Sequence, residues 1–256
     1  MPIQETKTLQ ALAHDEFELP IGFTDSEGNF HKTARLREMT GLVEEAITDQ
    51  KVRNNPAKMV TEALYGVVET LGTKKKVLKD DIKGMTTTDR DFLLLMNHKV
   101  SLGDDVEWLE QCPKCEGKFD ASVNIDTLPV LYMTEDEPKE MTIELPNGVK
   151  DAEGNVYKKV RVSLPTGLVQ EKILPLIQQN PSQAITQMLA QITEDIEGLN
   201  HWNFTTFQAM TKKDRKHISS EMGKTKVGVD LSPSVACPNC GNTYTTTIPV
   251  MTLLGE

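Results

Sequence analysis

The fold of this chain is decided by the stretch Glu18-Leu-Pro-Ile-Gly-Phe-Thr-Asp-Ser-Glu-Gly-Asn29, which returns 126 residues later as Glu144-Leu-Pro-Asn-Gly-Val-Lys-Asp-Ala-Glu-Gly-Asn155. Sixteen of the 30 positions from 18 to 47 are identical to their counterparts. After a one-residue deletion the offset becomes 125, and it holds to the end through matching Asn-Pro, Met-Thr, Asp-Arg and Cys pairs. We therefore interpret the chain as a tandem duplication.

The duplication predicts four segments in the 256 residues. They are an N-terminal arm (1–17), repeat 1 (18–128), an acidic linker (129–143) and repeat 2 (144–256). The linker contains Glu135-Asp136-Glu137-Pro138 and has the composition of an exposed connector. The arm has no counterpart in repeat 2, so it is either an ordered segment that binds a neighbour or a frayed terminus.

Each repeat is predicted to begin with a β-hairpin and to continue with helices. The Leu-Pro-x-Gly and Asp-x-Glu-Gly-Asn signals bracket a turn, and the second strands cover 30–36 and 156–164. Thr40 and Thr166 are expected to cap a short helix, and an Asn-Pro pair to start the next one. Every expected element has its counterpart in the other copy, so the sequence predicts an α+β fold.

The second helix of each repeat carries an apolar stripe with helical spacing. The stripe residues are Val60, Ala63, Leu64, Val67 and Leu71 in repeat 1, and Ile185, Met188, Leu189, Ile192 and Ile196 in repeat 2. A third helix is expected after the capping-box patterns at Thr86 and Thr211. Residues 92–96 of this helix are all apolar, whereas its counterpart in repeat 2 is polar. Either repeat 2 has lost burial there, or repeat 1 has gained a docking surface.

The four cysteines form two pairs, Cys112-Pro-Lys-Cys115 and Cys237-Pro-Asn-Cys240. Two intervening residues in a tight turn direct both sulfurs to one point, and a tetrahedral zinc ion takes four such thiolates. An aromatic residue and then a strand-like alternation follow each pair, with Val123 and Ile125 after the first and Ile248 and Val250 after the second. This order is typical of the knuckles of a zinc ribbon.

We expect the two knuckles to form one split zinc ribbon, although 121 residues lie between Cys115 and Cys237. One repeat supplies two thiolates and the other repeat completes the site, so all four cysteines are predicted structural zinc ligands. A site shared by two chains is the alternative. A thioredoxin-like redox pair would need each motif to open a helix after a strand, and neither context has that pattern.

Composition and charge favour protein partners. The formal net charge is −10, the pI is about 5.1 and the mean hydropathy is −0.38. An acidic chain is a poor binder of nucleic acid, and no run approaches the ~20 apolar residues of a membrane span. The first seven residues lack the pattern of a signal peptide, so we expect folding in a reducing cytoplasm without disulfides.

The sequence gives no sign of an enzyme. The proposed zinc site uses every thiol, and a zinc ion closed by four cysteines has no open position for water. We interpret the scattered histidines as surface or structural residues: His14, His31, His98, His201 and His217. No hydrolase, metalloprotease or nucleotide-binding motif occurs, so neither catalytic residues nor a small-molecule substrate is predicted.

Several charged or aromatic groups have a simple structural interpretation. Solvated faces are expected for Lys74-Lys75-Lys76 with Lys79, for Asp80-Asp81 and for Asp104-Asp105. The Asp-Arg pair at Asp89 and Asp214 is expected to form an ion pair at a helix start, or else a docking contact shared by the copies. Trp108 and Trp202 are either interface anchors or buried beside the ribbon.

The order of motifs resembles one known family. The succession is Leu-Pro-x-Gly, Thr-Gly-x-x-Glu-Glu (Thr40 to Glu45), Asp-Arg-x-Phe-Leu-Leu (Asp89 to Leu94), Ser101-Leu-Gly103 and Cys-Pro-x-Cys. It is similar to that of the baseplate hub assembly proteins, or hub assembly chaperones, of T4-type contractile phages, over nearly the whole chain. The resemblance implies a non-enzymatic tail protein that acts with baseplate hub, tail tube or tape-measure proteins. It also implies the host cytoplasm during assembly and then the virion tail.

A zinc-ribbon protein that binds nucleic acid, such as a transcription accessory factor, is the alternative function. Such a ribbon needs lysines and arginines on the strands after each knuckle. Those segments read Ala-Ser-Val-Asn-Ile-Asp and Thr-Thr-Thr-Ile-Pro-Val, without a basic residue. The sequence therefore favours an assembly or structural protein.

Overall fold

The computed structural model describes residues 15–134, 140–151 and 153–255. Their contacts divide the chain into two compact units. The first unit holds the described residues up to Met133 and those from Val227 onward, and the second holds Thr134–Lys226. The units do not follow the repeat boundaries, because the second cysteine pair belongs to the first unit. Most of the predicted arm and the acidic stretch of the predicted linker lie outside the described residues.

The first part of the chain alternates short strands with helices. Its elements are β1 (Glu16–Thr24), β2 (Phe30–Leu36), α1 (Gly41–Thr48), α2 (Pro56–Val67), β3 (Val68–Leu71), α3 (Lys79–Gly84), α4 (Thr87–Leu102), β4 (Asp105–Gln111), β5 (Lys118–Asn124), a 3₁₀ turn (Ile125–Thr127) and β6 (Val130–Leu131). The antiparallel sheet has the order β1-β2-β3, and β4 and β5 form a separate hairpin.

The second unit has a similar order of elements. They are β7 (Glu140–Lys150), β8 (Val156–Ser163), α5 (Gly167–Gln179), α6 (Pro181–Ile192), β9 (Thr193–Ile196), α7 (Phe204–Ala209) and α8 (Lys212–Met222). Its antiparallel sheet has the order β7-β8-β9. The mixed α and β class is confirmed, as are the second strand of the first hairpin and the Asn-Pro starts of α2 and α6.

The end of the chain returns to the first unit. Its elements are β10 (Gly228–Val229), β11 (Ser234–Ala236), β12 (Thr243–Thr245) and α9 (Val250–Leu253). Strand β10 pairs with β6, and β11 pairs with β12. Among the described residues, no helix combines the length and the apolar composition that crossing a bilayer requires.

Each three-stranded sheet is interrupted at the repeated Leu-Pro-x-Gly sequence. The pairing of the first two strands shifts register across this motif in both units. Gly22 has φ +91° and Gly148 has φ +86°, a left-handed conformation that favours glycine. The motif is therefore an irregularity inside the first strand, and only the following Asp-x-Glu-Gly-Asn segment makes the turn. The expectation that both signals bracket the turn is wrong.

A buried aspartate accepts hydrogen bonds from this irregularity in each unit. Asp89 accepts from the backbone N–H of Ile21 at 2.8 Å and of Gly22 at 3.2 Å. Asp214 accepts from the N–H of Asn147 at 2.8 Å. Both aspartates lie in the first turn of a helix, as predicted, and both are fully buried. Each carboxylate therefore attaches its helix to the hairpin.

The arginine that follows each aspartate contacts a different helix. The Nη2 group of Arg90 donates to the carbonyl of Ala57 at 2.8 Å and to Thr61 Oγ1 at 2.9 Å. In the second unit, Nη1 of Arg215 donates to Thr186 Oγ1 at 3.0 Å. Thr61 and Thr186 occupy matching positions at the 125-residue offset between the two similar sequence segments. The Asp-Arg dipeptide thus connects a hairpin and two helices, where the sequence alone suggested a local ion pair.

The apolar stripes are only partly helical. Helix α2 ends at Val67, so Leu71 lies in β3, and Ile196 likewise lies in β9. The five stripe residues of the first copy are buried, but Ile185 in the second is 45% exposed. Thr40 and Thr166 occupy the N-cap positions without a side-chain cap hydrogen bond. The apolar stripe of the second segment is therefore not buried at Ile185.

The apolar run of α4 is covered by the chain itself. Residues 92–96 have no exposed surface. Strand β1 and helix α2 pack against α4, and so do β10 and α9 from the end of the chain. In the second unit, only Asp214 and Ile218 of α8 are buried. The C-terminal segment therefore accounts for the burial that distinguishes the two helices.

Candidate metal centre

The first cysteine pair lies in the turn of the β4–β5 hairpin. The N–H of Cys112 donates to the carbonyl of Gly117 at 3.0 Å, and the N–H of Glu116 donates to the carbonyl of Cys112 at 2.9 Å. This compact turn follows directly from the end of β4. Because it joins two strands and opens no helix, its context differs from that of a thioredoxin-like redox motif.

The second pair repeats this geometry in the turn of the β11–β12 hairpin. The N–H of Cys237 donates to the carbonyl of Asn242 at 2.9 Å, and the N–H of Gly241 donates to the carbonyl of Cys237 at 2.9 Å. The predicted extended run after this pair is wrong in its extent. Strand β12 ends at Thr245, and α9 begins at Val250.

The four thiols meet at one point within the first unit. The Sγ atoms of Cys112 and Cys240 are 3.7 Å apart, as are those of Cys115 and Cys237. All four sulfurs lie within 4.8 Å of one another. Cys112 and Cys237 are buried, whereas Cys115 and Cys240 are exposed. This cluster of soft donors can hold a metal ion, and one chain supplies the complete set.

The thiols differ in their tendency to ionise. Burial acts to raise the pKa of Cys112, but the N–H groups of Cys115 and Lys114 and the neighbouring thiols lower it to about 6. The N–H of Gly117 acts to lower the pKa of Cys115, yet the surrounding thiols and desolvation raise it to about 12. One thiolate forms readily, and a further negative charge beside it is unfavourable. A bound cation would stabilise several thiolates beside one another.

A small network of side chains joins the two hairpins beside the cluster. The carboxylate of Glu110 accepts from Trp108 Nε1 at 2.9 Å and from Thr246 Oγ1 at 2.8 Å. The hydroxyl of Tyr244 donates to the carbonyl of Gln111 at 3.3 Å. The bond from Trp108 is the main cause that lowers the pKa of Glu110. Sequence reasoning missed Glu110 and Thr246, because no spacing signal marks contacts between segments more than 120 residues apart.

The two knuckles lie close together and share one left-handed backbone position. A Cβ atom on Gly117 would lie 2.6 Å from Nδ2 of Asn239, the end of an exposed side chain in the other knuckle, which would have to move aside. Glu116 has φ +58°, and its counterpart Gly241 has φ +68°. The left-handed conformation is thus made by glycine in one knuckle and by a strained glutamate in the other.

The remaining predicted groups do not join the cluster. His31 is buried with Nε2 3.0 Å from Asp25 Oδ2, and His98 is buried with Nε2 3.2 Å from the carbonyl of Asp105. His217 is half-buried, His201 is exposed, and His14 lies outside the described residues. The structural interpretation of the described histidines therefore stands.

The expectation of solvated charge holds for Lys75, Lys76 and Asp80, which are exposed, but it is wrong for Asp81 and its partner Lys74. The carboxylate of Asp81 is buried, accepts from the N–H of Leu78 at 2.7 Å and pairs with Lys74 Nζ at 2.8 Å. These contacts fix the start of α3.

The two tryptophans both pack inside the protein. Trp108 is buried beside the knuckles, and Trp202 packs against the core of the second unit.

The fold and the site together define a mixed α and β protein with a cluster of four cysteines between two short hairpins. The chain belongs to the T4 bacteriophage base plate protein family, whose model matches residues 24–252. This match spans both sequence copies and confirms the resemblance to T4-type baseplate proteins. It indicates a protein of the phage tail that interacts with other phage structural proteins. Comparison with curated proteins and with solved structures gave no significant match.

Proposed function

We propose that the chain is a non-enzymatic protein of the baseplate hub of a contractile phage tail. It acts in baseplate and tail assembly, as an assembly factor or as a structural component, together with hub, tail tube or tape-measure proteins. The observation that carries the proposal is the family match over residues 24–252, which covers both copies and the cysteine cluster. Assembly takes place in the host cytoplasm, and the final location is the virion tail.

We also propose that the four cysteines bind one structural zinc ion. A tetrahedral ion with Zn–S bonds of about 2.3 Å requires S···S distances of about 3.8 Å. The two measured cross-knuckle distances of 3.7 Å fit this requirement. Thiolates are soft ligands that suit zinc, and four of them leave no open coordination position. The bound ion would neutralise the thiolates and stabilise the fold.

Such a site would fasten the end of the chain to the first unit. Cys112 and Cys115 follow β4, whereas Cys237 and Cys240 lie in the segment that brings β10 and α9 onto α4. Because 121 residues separate the pairs in sequence, closing this loop is entropically costly without a link. The metal centre would therefore retain the C-terminal segment that covers the apolar run of α4.

The duplication and the split ribbon belong to the same proposal. Support comes from the shared order of elements, from the Asp-to-hairpin hydrogen bonds and from the matching knuckle turns. Each copy contributes one knuckle, and the two knuckles together form the ribbon. A single ancestral copy with two thiolates would have needed a second copy to close the site.

The charge of the hairpin strands disfavours the alternative function, a zinc ribbon that binds nucleic acid. Strand β4 contains three acidic residues and no basic one. Strand β5 contains one lysine, Lys118, and one aspartate, whereas β11 and β12 carry no charge. Phosphate contacts require clustered lysines and arginines. Binding of the full chain to duplex DNA or heparin at physiological salt would contradict the proposal.

The metal centre is tested by native mass spectrometry of the purified full chain, where we expect one zinc per chain. Cys112→Ser and Cys237→Ser should destabilise the first unit to a similar degree, because each leaves an incomplete ligand set. Lys114→Ser is the matched control, since Lys114 is exposed in the same turn and is not a ligand. Zero or two zinc ions per chain would overturn the closed intramolecular site.

The role in assembly is tested with a phage that lacks this gene and is complemented from a plasmid. We expect tail assembly to stop without the protein, and intact virions or baseplate intermediates to contain it when it is supplied. Presence in finished virions identifies a structural component, and presence in intermediates alone identifies an assembly factor. Normal tails in its absence would overturn the proposed function.

A further inference from the structure

We propose that a groove between α1 and α2 binds an acidic segment of another tail protein, anchored by an apolar side chain. The groove has a volume of about 640 Å³ and is lined by residues that include Arg37, Leu42, Val43, Tyr65, Lys75 and Lys76. This inference rests on the proposed function, because it specifies the chemistry of a partner in tail assembly.

The floor of the groove presents apolar surface to solvent. Leu42 is 77% exposed and Tyr65 is 44% exposed, while Val43 is buried beneath them. Lys79 Nζ lies 5.1 Å from the centroid of the Tyr65 ring and supports one side of it. Leu42 belongs to the Thr-Gly-Leu-Val sequence found in both copies, and its counterpart Leu168 is also exposed. An exposed leucine retained in both copies needs an explanation other than core packing.

Small residues keep the groove open in the first unit. A Cβ atom on Gly66 would lie 2.5 Å from Val43 Cγ2, so the helices approach closely at this point. Ala46 also lines the groove. Their counterparts in the second unit are Gln191 and Lys172, whose side chains hydrogen-bond to each other at 3.2 Å between α5 and α6. Bonded polar side chains thus occupy positions that are small in the first unit.

Positive charges outnumber negative ones in the lining of the groove, where three cations stand against two carboxylates. Glu62 pairs with Lys79 at 2.7 Å. Glu69 lies 3.7 Å from Arg35 Nε, which also pairs with Asp15 at 2.8 Å. Lys75 and Lys76 are exposed, and within residues 15–134, 140–151 and 153–255 no ion pair involves them.

A third cation, Arg37, lines the groove and is fixed by a 2.8 Å hydrogen bond from Nε to the carbonyl of Gly66. A chain with net charge −10 thus presents a local positive rim around an apolar floor.

The second copy lacks this positive rim. The positions of Arg37, Lys75 and Lys76 are taken by Ser163, Asn200 and His201. The charge is therefore a property of the first copy alone. A segment with carboxylates around one apolar anchor matches the rim and the floor together. Nucleic acid fits less well, because three cations beside exposed leucine and tyrosine do not form a track for phosphates.

The test places the photo-crosslinker p-benzoylphenylalanine at Leu42 of the full chain during phage assembly, with peptide-level sequencing of the adduct. We expect an adduct with a tail-protein segment in which aspartate or glutamate flanks an apolar residue. Lys75→Asn with Lys76→His, the residues of copy two, should reduce the yield at least about fivefold. Lys51→Asn with Lys58→His changes exposed lysines outside the groove and should leave the yield within about twofold.

The groove proposal is overturned if the adduct contains a neutral or basic segment, a second copy of this chain or nucleic acid. It is also overturned if Lys75→Asn with Lys76→His leaves the yield unchanged, or if no adduct forms. A second probe at Leu109, which is 66% exposed in β4, separates this failure from failure of the proposed function. Adducts with tail proteins from Leu109 but not from Leu42 would refute the groove alone. Adducts from both positions with proteins unrelated to the tail would refute the proposed function.

Discussion

Two aspartates in the first turns of α4 should have opposite effects on stability when they are replaced. Asp89 is fully buried and accepts hydrogen bonds from Ile21, Gly22 and the hydroxyl of Thr86. Asp91, two residues later, is half-buried, and burial raises its pKa to about 6. We expect Asp89→Ala to destabilise the first unit and Asp91→Asn to stabilise it at pH 7.

The magnitude for Asp89→Ala follows from the groups that lose their acceptor. The buried N–H groups of Ile21 and Gly22 would each be left unsatisfied, at a cost of about 1–3 kcal/mol per group. The N-cap bond from the N–H of residue 89 to Thr86 Oγ1 survives the change. Burial raises the pKa of Asp89, so removing the carboxylate also relieves a desolvation cost. The net loss should be about 2–4 kcal/mol.

The gain from Asp91→Asn follows from linkage. A folded-state pKa above the unfolded value means that ionisation at pH 7 destabilises the fold, and each pKa unit corresponds to about 1.4 kcal/mol. After allowance for partial exposure of Asp91, the Asp91→Asn variant should be about 1–2 kcal/mol more stable than the wild type at pH 7. The free energy of unfolding of the wild type should approach that of the variant as the pH falls from about 6 to about 4.

The assay is urea unfolding of the full chain followed by tryptophan fluorescence. The chain has two tryptophans, Trp108 in the first unit and Trp202 in the second. A Trp202→Phe background therefore makes Trp108 a reporter of the first unit alone. Asp214→Ala is the matched control, because it removes the equivalent contact in the second unit and should leave the Trp108 transition unchanged.

A loss below about 1 kcal/mol for Asp89→Ala would show that the hairpin N–H groups find other partners, and the reasoning would be refuted. The same holds if Asp91→Asn destabilises the first unit at pH 7. A Trp108 transition that moves with Asp214→Ala would contradict the assignment of that contact to the second unit.

Three further predictions concern backbone geometry and pH. Glu116→Gly should stabilise the first unit by about 0.5–1 kcal/mol in thermal unfolding, because φ is +58° there, and a loss would count against the strain. Gly66→Ala should cost about 1–3 kcal/mol through its clash with Val43, whereas Gly41→Ala, with open space around it, should change stability by less than about 0.5 kcal/mol. Burial acts to raise the pKa of Asp214, but hydrogen bonds outweigh it and lower that pKa, so its contribution is present above about pH 4 and lost as the pH falls further. In Asp214→Asn, the stability of the second unit, followed by Trp202 fluorescence, should fall less steeply below about pH 4. An unchanged pH dependence would contradict the assignment of this loss of stability to Asp214.

Local signals were sufficient for many elements. Thr86 and Thr211 accept from the N–H groups of Asp89 and Asp214, as the capping pattern predicts. Asn55 accepts from two N–H groups at the start of α2. These predictions succeed because caps and turns depend on residues within a few positions of one another.

Predictions that depended on distant partners were incomplete. Leu-Pro-x-Gly resembles a turn signal, yet it lies within a strand whose N–H groups bind Asp89, 67 residues away from Gly22. The sequence alone could not show why residues 92–96 of α4 are apolar while their counterpart in α8 is polar. The elements that cover α4, namely β10 and α9, come from the far end of the chain. A local pattern shows that a face must be covered but does not show what covers it.

The sequence by itself determined the offset at which its two similar segments align, the α+β class and the four cysteines as a candidate ligand set, since these depend on spacing, capping and residue type. Tertiary structure alone decided that both knuckles lie in the first unit, that their thiols approach within 4.8 Å, and that Asp89 and Arg90 serve different neighbours. The physical reason is that hydrogen bonds and close packing are short-range in space but not in sequence. The meeting point of two segments 121 residues apart is fixed only when the whole core forms.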